Sequence, residues 1–307
     1  MNNKKLYKLL QIIIVLVCLV IISKIIIEEK KFLEIFLNLN FYKFLPTLIL
    51  SFFITFCYSQ LILNILNFTT EIKISQRKWL YIFFNSQFLD VIPFTGFIYK
   101  AMRLKKFNLD YSHFFFSYVL IFVLWIIIYC FFFFTEITFY SFFINNLLYF
   151  KYGLFFLILC ITLLITIELI NKFLSKLYFK KIIFLKFKSL VNFIKQNILK
   201  KKIINTFLKY GLILHILEFG LYYSVINFLG LEIDLKAIFL IFLVNSIVDF
   251  FPITPKNIGF SEFISGLLLN IIGFNFTTGV LIKVSIRISS LISTTILFFA
   301  NNLYDKK

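Results

Sequence analysis

The sequence predicts an all-α integral membrane protein with about six full transmembrane helices and two broken re-entrant hairpins of opposite orientation. Three observations carry this. Of the 307 residues 61% are hydrophobic, and the mean hydropathy is +0.95, far from a soluble composition. Apolar runs long enough to cross a bilayer recur along the whole chain, at about 9–27, 44–66, 79–99, 113–137, 147–170, 210–229, 237–273 and 278–300. Two of these runs, 79–99 and 237–273, are broken by proline, glycine and acidic residues. Backbone that cannot complete a helix is tolerated at membrane depth only where protein or a water-filled cavity surrounds it.

Taken in chain order, Lys4, Lys5 and Lys8 precede the first run, which is too long for a signal peptide and lacks a small-residue cleavage site. It is expected to be an uncleaved first span. The runs at 44–66, 113–137, 147–170, 210–229 and 278–300 are expected to cross fully. The side on which each basic cluster lies decides the two irregular runs. If both return to their own side, with both termini inside, only Lys30, Lys31, Lys43, Lys151 and Lys236 face outward. The clusters at Lys73–Lys78, Lys100–Lys106 and Lys172–Lys209 then all face the cytoplasm, as the positive-inside rule requires. A full crossing at 79–99 would put the last of these outside. The reading is therefore one polytopic domain over 1–307 in the cytoplasmic membrane, with re-entrant hairpins at about 79–101 and 237–273. One would enter from each side, so that their tips meet near the midplane, an arrangement shared with alternating-access transporters.

Residues 171–209 form the only long extramembrane segment. Lysines there alternate with Phe179, Ile182, Ile183, Leu185 and Phe187, which suits an amphipathic helix on the inner leaflet or a solvated basic loop that sets topology. With no acid between Glu168 and Glu218, the segment is not a catalytic domain. The net charge of +18 fits anionic inner-leaflet lipids as neighbours, and no nucleic-acid-binding module accompanies it. Phe is abundant together with Ile, Lys and Asn, a compositional bias that assigns no aromatic site. Cys18, Cys57, Cys130 and Cys160 lie apart within apolar runs as small core residues, and two histidines exclude a His-rich metal site. No metal or other cofactor is expected.

The candidate site residues are the polar groups of the two hairpins and the last span. In 237–273, Pro252 and Pro255 end the first arm, Gly259 permits a turn, Ser261 is a candidate N-cap, and Glu262 suits the start of the second arm. Asp249, late in the first arm, has no such local role. Thr254, Lys256 and Asn257 occupy the tip. Lys283 and Arg287 follow helical spacing with Ser290 and Thr294 on the last span. Unpaired at mid-bilayer, Asp249, Glu262, Lys283 and Arg287 would cost about 2.5–3.5 kcal/mol each. They must pair with one another or line a hydrated path. The first hairpin offers Asn85, Asp90, Lys100 and Arg103, the last two near the cytoplasmic edge, where a phosphate could be received or topology anchored. His215, Glu218 and Tyr222 share one helix face, as expected for a polar contact between helices.

The stretch Pro252-Ile-Thr-Pro255-Lys-Asn-Ile-Gly259-Phe-Ser-Glu262, followed by Gly273 and Arg287, resembles the C-terminal signature of the lysylphosphatidylglycerol synthase transmembrane-region, or flippase-like, family. Asn85, Pro93, Gly96, Lys100 and Ala101 resemble its other polar hairpin. Lys256 stands where the family usually has glycine, and Lys100 where arginine is common. The resemblance implies a stand-alone membrane domain without the soluble aminoacyl-transferring domain. It further implies movement of an anionic phospholipid or polyprenyl-phosphate lipid across the membrane by a non-enzymatic protein. The alternative is a membrane-embedded enzyme, or an accessory subunit, in glycolipid or cell-envelope polysaccharide assembly.

Overall fold

A computed structural model describes residues 41–70, 73–89, 95–144, 154, 158, 161–162, 165–166, 182–250 and 258–304. Among them the only regular structure is helical, as expected. After a 3-10 turn at Phe41–Phe44 come α1 (Leu45–Thr69), α2 (Gln76–Leu89), α3 (Thr95–Lys105), α4 (Tyr111–Ile144) and α5 (Ile182–Ile198). Then follow α6 (Lys201–Phe228), α7 (Leu235–Phe250), α8 (Phe260–Ile271) and α9 (Phe276–Tyr304).

Four stretches among the described residues are long and apolar enough to cross a membrane: Tyr42–Thr69, Tyr111–Thr138, Lys201–Phe228 and Phe276–Asn301. They fall on the runs expected at 44–66, 113–137, 210–229 and 278–300. The span expected at 9–27 lies outside the described residues, and that at 147–170 is described only at isolated helical positions. Both irregular runs are split into two short helices, α2 with α3 and α7 with α8. At the first break the Thr95 hydroxyl donates to the Leu89 carbonyl, so the start of α3 is tied to the end of α2.

Of the two readings of the basic segment, the described residues fit the helix, while its boundary with the next span differs from expectation. The segment holds a helix, α5, whose Val191, Ile194 and Ile198 are buried while Lys186, Ser189, Asn192, Lys195 and Gln196 face out. Lys201, Lys202 and Lys209 belong to α6, which starts nine residues before the apolar run suggested. Their aliphatic stems can run along the helix while the ammonium groups reach the interface, so lysine does not mark the helix boundary.

The chain divides into two compact units. One comprises Tyr58–Ile82 and Ile98–Ile213. Its core includes Leu61, Ile62, Ile65, Leu66, Trp79, Leu104, Leu120 and Phe207, all fully buried. The Trp79 indole donates to the Ser59 carbonyl at 2.8 Å, which meets the rule that a buried Trp N–H finds an acceptor. α6 lies against α4 at Gly211, where a Cβ would make ordinary contact with Ile128, 3.5 Å away. The turn into α2 is held by one side chain. Asn67 accepts from the Ile74 N–H at 2.9 Å through Oδ1 and donates to the Ile74 carbonyl at 3.3 Å through Nδ2. Asn67→Ala leaves both backbone groups of a buried residue without this partner. It should lower unfolding free energy by about 1–3 kcal/mol, read as a lower melting temperature of the detergent-solubilised chain.

The other unit comprises Met1–Cys57, Phe83–Phe97 and Leu214–Lys307. Its core gathers Tyr222, Val225 and Ile226 of α6, Ile238, Ile241 and Phe242 of α7, Leu269 of α8, and Leu281 and Ile282 of α9. Thr47 and Ser224 share a buried hydroxyl–hydroxyl hydrogen bond of 2.9 Å between α1 and α6. The Ser293 hydroxyl of α9 donates to the Leu48 carbonyl at 3.3 Å. Phe88 of α2 stacks on Phe298 of α9, ring centroids 4.4 Å apart. α8 packs on α7 and on α9. It turns into α9 at Gly273, whose φ of 97° suits a residue without a Cβ. The Phe274 N–H there donates to the Leu269 carbonyl at 2.9 Å and closes the end of α8.

Candidate functional site

Four charged side chains of the second unit form two ion pairs across α7, α8 and α9. Lys283 and Arg287 stand one turn apart on α9, so they project from the same side of that helix. Lys283 pairs with Asp249 in the last turn of α7, and its ammonium also donates to the Tyr222 hydroxyl at 3.0 Å. Arg287 Nε pairs with Glu262 in the first turn of α8, and its Nη2 donates to the Ser261 hydroxyl at 2.7 Å. The sequence required these four charges to pair or to line a hydrated path, and the structure pairs them.

The two pairs are built differently. Glu262 is 7% exposed and also serves its own helix, because its carboxylate accepts from the Gly259 N–H at 2.8 Å and from the Ser261 hydroxyl at 3.3 Å. This satisfies a first-turn donor of α8 and puts negative charge at the positive end of the helix. Gly259, with φ of 80°, is the N-cap residue, and Ser261 lies inside the helix. The expectation that Ser261 caps α8 is thus corrected. A backbone at positive φ favours glycine, and glycine has no capping side chain, so the carboxylate three residues on supplies the bond. The single Ser265 hydroxyl proton is shared between the Ser261 carbonyl, 2.7 Å away, and Asn245 Oδ1 of α7. Asn245 is anchored by its own Nδ2, which donates to the Ile241 carbonyl at 2.9 Å. Arg287 is therefore aimed by a chain of hydrogen bonds running through three helices, and its side chain remains 25% exposed.

In the other pair the exposure is reversed. The Lys283 side chain is 4% exposed, while its partner Asp249 is 46% exposed. Asp249 is therefore open on one side, whereas Lys283 is enclosed and depends on Asp249 and the Tyr222 hydroxyl to hold its charge. An anion reaching this point could take the place of the carboxylate on the ammonium.

Of the other expected site residues, Asp90, Thr254, Lys256 and Asn257 lie outside the described residues, as do both hairpin tips. Asn85 is buried in α2 within the unit that holds the ion pairs. Lys100 and Arg103 belong to the other unit. Lys100 is buried, with its ammonium 5.3 Å from the centroid of the Tyr118 ring. The face of that ring helps to stabilise the charge where solvent is excluded. Arg103 lies 5.2 Å from the centroid of the Tyr99 ring and donates to the Tyr99 hydroxyl at 3.1 Å. On α9, Ser290 is exposed, and the Thr294 hydroxyl donates to the Ser290 carbonyl at 2.7 Å, so neither joins the charged cluster. His215 meets the Phe242 ring edge-on at 4.8 Å. Tyr222, Asn245 and Ser265 are the members that sequence reasoning left out of the site. Uncharged polar residues in a membrane helix carry a small energetic signal, and only the fold shows which of them face a charge.

A family model described as the lysylphosphatidylglycerol synthase TM region matches residues 8–297. No curated protein and no solved structure matches the chain. With nearly its whole length covered, the chain belongs to the lysylphosphatidylglycerol synthase transmembrane-region family.

Proposed function

We propose that this member of the lysylphosphatidylglycerol synthase transmembrane-region family moves an anionic amphiphile, a phospholipid or a polyprenyl-linked phosphate, across the cytoplasmic membrane. Membership supports a membrane protein with a lipid- or cell-envelope-related role. The observation that carries the finer reading is the paired cluster Lys283–Asp249 and Arg287–Glu262 on a helix long and apolar enough to cross a membrane. Charges at that depth are costly and mark pathways or sites.

The barrier to moving such a lipid is desolvation of its headgroup phosphate. Arg287 and Lys283 would offset it, Arg287 as a guanidinium held in one orientation and Lys283 as an ammonium that exchanges Asp249 for the phosphate. α7 and α8 break between them, and broken helices give a headgroup polar backbone to cross against while the acyl chains stay in lipid. Both termini lie on the cytoplasmic side in this reading, and the chain performs no covalent chemistry.

Leaflet-resolved translocation in proteoliposomes tests it, using fluorescent phosphatidylglycerol, phosphatidylcholine and a polyprenyl phosphate. The natural chain should move an anionic lipid faster than empty vesicles do. Arg287→Ala should slow it about 10- to 100-fold, the loss of one charge-assisted hydrogen bond of about 1.5–3 kcal/mol. Arg287→Lys should retain part of the rate. A lipid product of changed mass would sink translocation in favour of an enzyme of envelope assembly. Normal rates in Arg287→Ala would remove the cluster from the path.

A further inference from the structure

In the other unit, α5 packs against the beginning of α4 and leaves an open groove of about 1010 Å³. Its walls are aromatic. Phe116 and Phe193 approach to 5.7 Å between ring centroids, His113 meets Phe193 edge-on at 6.4 Å, and Phe115 and Phe187 line the groove while remaining about half exposed. Its charge has one sign. Lys186 lines it, the Lys105 ammonium lies 5.0 Å from the centroid of the lining Tyr111 ring, and no lining residue is a carboxylate. The nearest acid in sequence is Asp110, exposed just before α4.

The position of the groove narrows its occupant. Tyr111 begins a stretch long and apolar enough to cross a membrane, so the first turn of α4 lies at headgroup level, where tyrosine is favoured. α5 combines a buried apolar side with a lysine-bearing outer one and carries no acid, the make-up of a helix lying in the interface. A groove at that depth meets lipid rather than dissolved ligands. The lining rings match acyl chain, and Lys186 and His113 match a phosphate.

We infer that the groove between α4 and α5 is a binding site for one anionic phospholipid of the surrounding leaflet, with acyl chain on Phe115, Phe116, Phe187 and Phe193 and headgroup phosphate at Lys186 and His113. The site shares no residue with the proposed translocation cluster and stands whether or not that cluster moves lipid. It retains a lipid laterally and needs no passage across the bilayer.

Photolabelling tests it. The full chain is reconstituted in phosphatidylcholine vesicles with a tracer of diazirine-bearing phosphatidylglycerol, irradiated, and the labelled peptides are mapped. Label should fall on 111–116 and 186–196, and unlabelled phosphatidylglycerol should displace it several-fold better than phosphatidylcholine. Lys186→Glu, at an exposed position, should reduce label there several-fold without altering label elsewhere, and Lys186→Arg should keep it. Equal displacement by the two lipids, or undiminished label in Lys186→Glu, overturns the site. Displacement by millimolar inorganic phosphate overturns the lipid assignment and leaves a site for free anions. Translocation measured on Lys186→Glu keeps the two proposals apart, since loss of label with normal transport supports a separate lipid site.

Discussion

Asp249→Ala is expected to destabilise the folded chain by about 3–5 kcal/mol, the cost of leaving a buried charge without its partner. Lys283→Met should cost clearly less. The difference follows from burial: the Lys283 side chain is 4% exposed and that of Asp249 46%. Without the carboxylate, the ammonium keeps the Tyr222 hydroxyl 3.0 Å away, a dipole set against a full charge. Without the ammonium, the carboxylate turns to water. The double variant Asp249→Ala/Lys283→Met removes both charges and should recover most of the lost stability, because apolar replacement of a buried pair is often neutral or favourable. Unfolding of the four chains in one detergent gives the cycle. Equal losses in the two single variants would show that exposure does not govern this pair. Transport by the double variant is the more telling readout. A stable chain that no longer moves lipid means the pair is retained for its chemistry, and a stable chain at full rate leaves it with a structural role alone.

How far the sequence could be read depended on the energetic size of each signal. Asp249, Glu262, Lys283 and Arg287 stood out because ionised groups in apolar surroundings are costly enough to demand partners, and the structure supplies those partners from within the set. Which acid meets which cation was not legible, since it depends on how α7, α8 and α9 cross. The breaks in 79–99 and 237–273 were legible from proline and glycine. The exact cap was not, because Ser261 and Gly259 both fit the start of α8 until the backbone φ at Gly259 selects one. The partner of Lys100 was not legible either, because its ammonium lies by the Tyr118 ring, on a helix more than ten residues further along. Asn245 and Ser265 gave no warning at all. A serine or asparagine in a membrane helix commonly bonds its own backbone, and Asn245 does so at 2.9 Å to Ile241 while also serving Ser265.

Gly279→Val should abolish the folded state or leave it barely stable, and Gly279→Ala should cost at least the upper part of the roughly 1–3 kcal/mol usual for overpacking. Helices in lipid gain little by hiding apolar side chains from one another, so they associate where small residues let backbones approach. α8 and α9 do so at Gly266 and Gly279. A Cβ on Gly279 would strike the Ser265 carbonyl group and stand 2.8 Å from Gly266 Cα, all backbone atoms that cannot rotate away. The same addition at Gly266 would stand 2.6 Å from Cε2 of the Phe276 ring, a side chain that can turn, so Gly266→Ala should be the milder change. Yield of monodisperse detergent-solubilised chain and its melting temperature rank the variants, and Gly279→Val folding like the natural chain would refute the close crossing. The consequence reaches the charges. Ser265 donates to the Ser261 carbonyl, and Ser261 and Glu262 hold Arg287, so pushing α8 off α9 at Gly279 moves the carboxylate away from the guanidinium. Any Gly279→Ala chain that survives should therefore lose lipid movement beyond its loss of stability, whereas Gly266→Ala should lose the two in proportion.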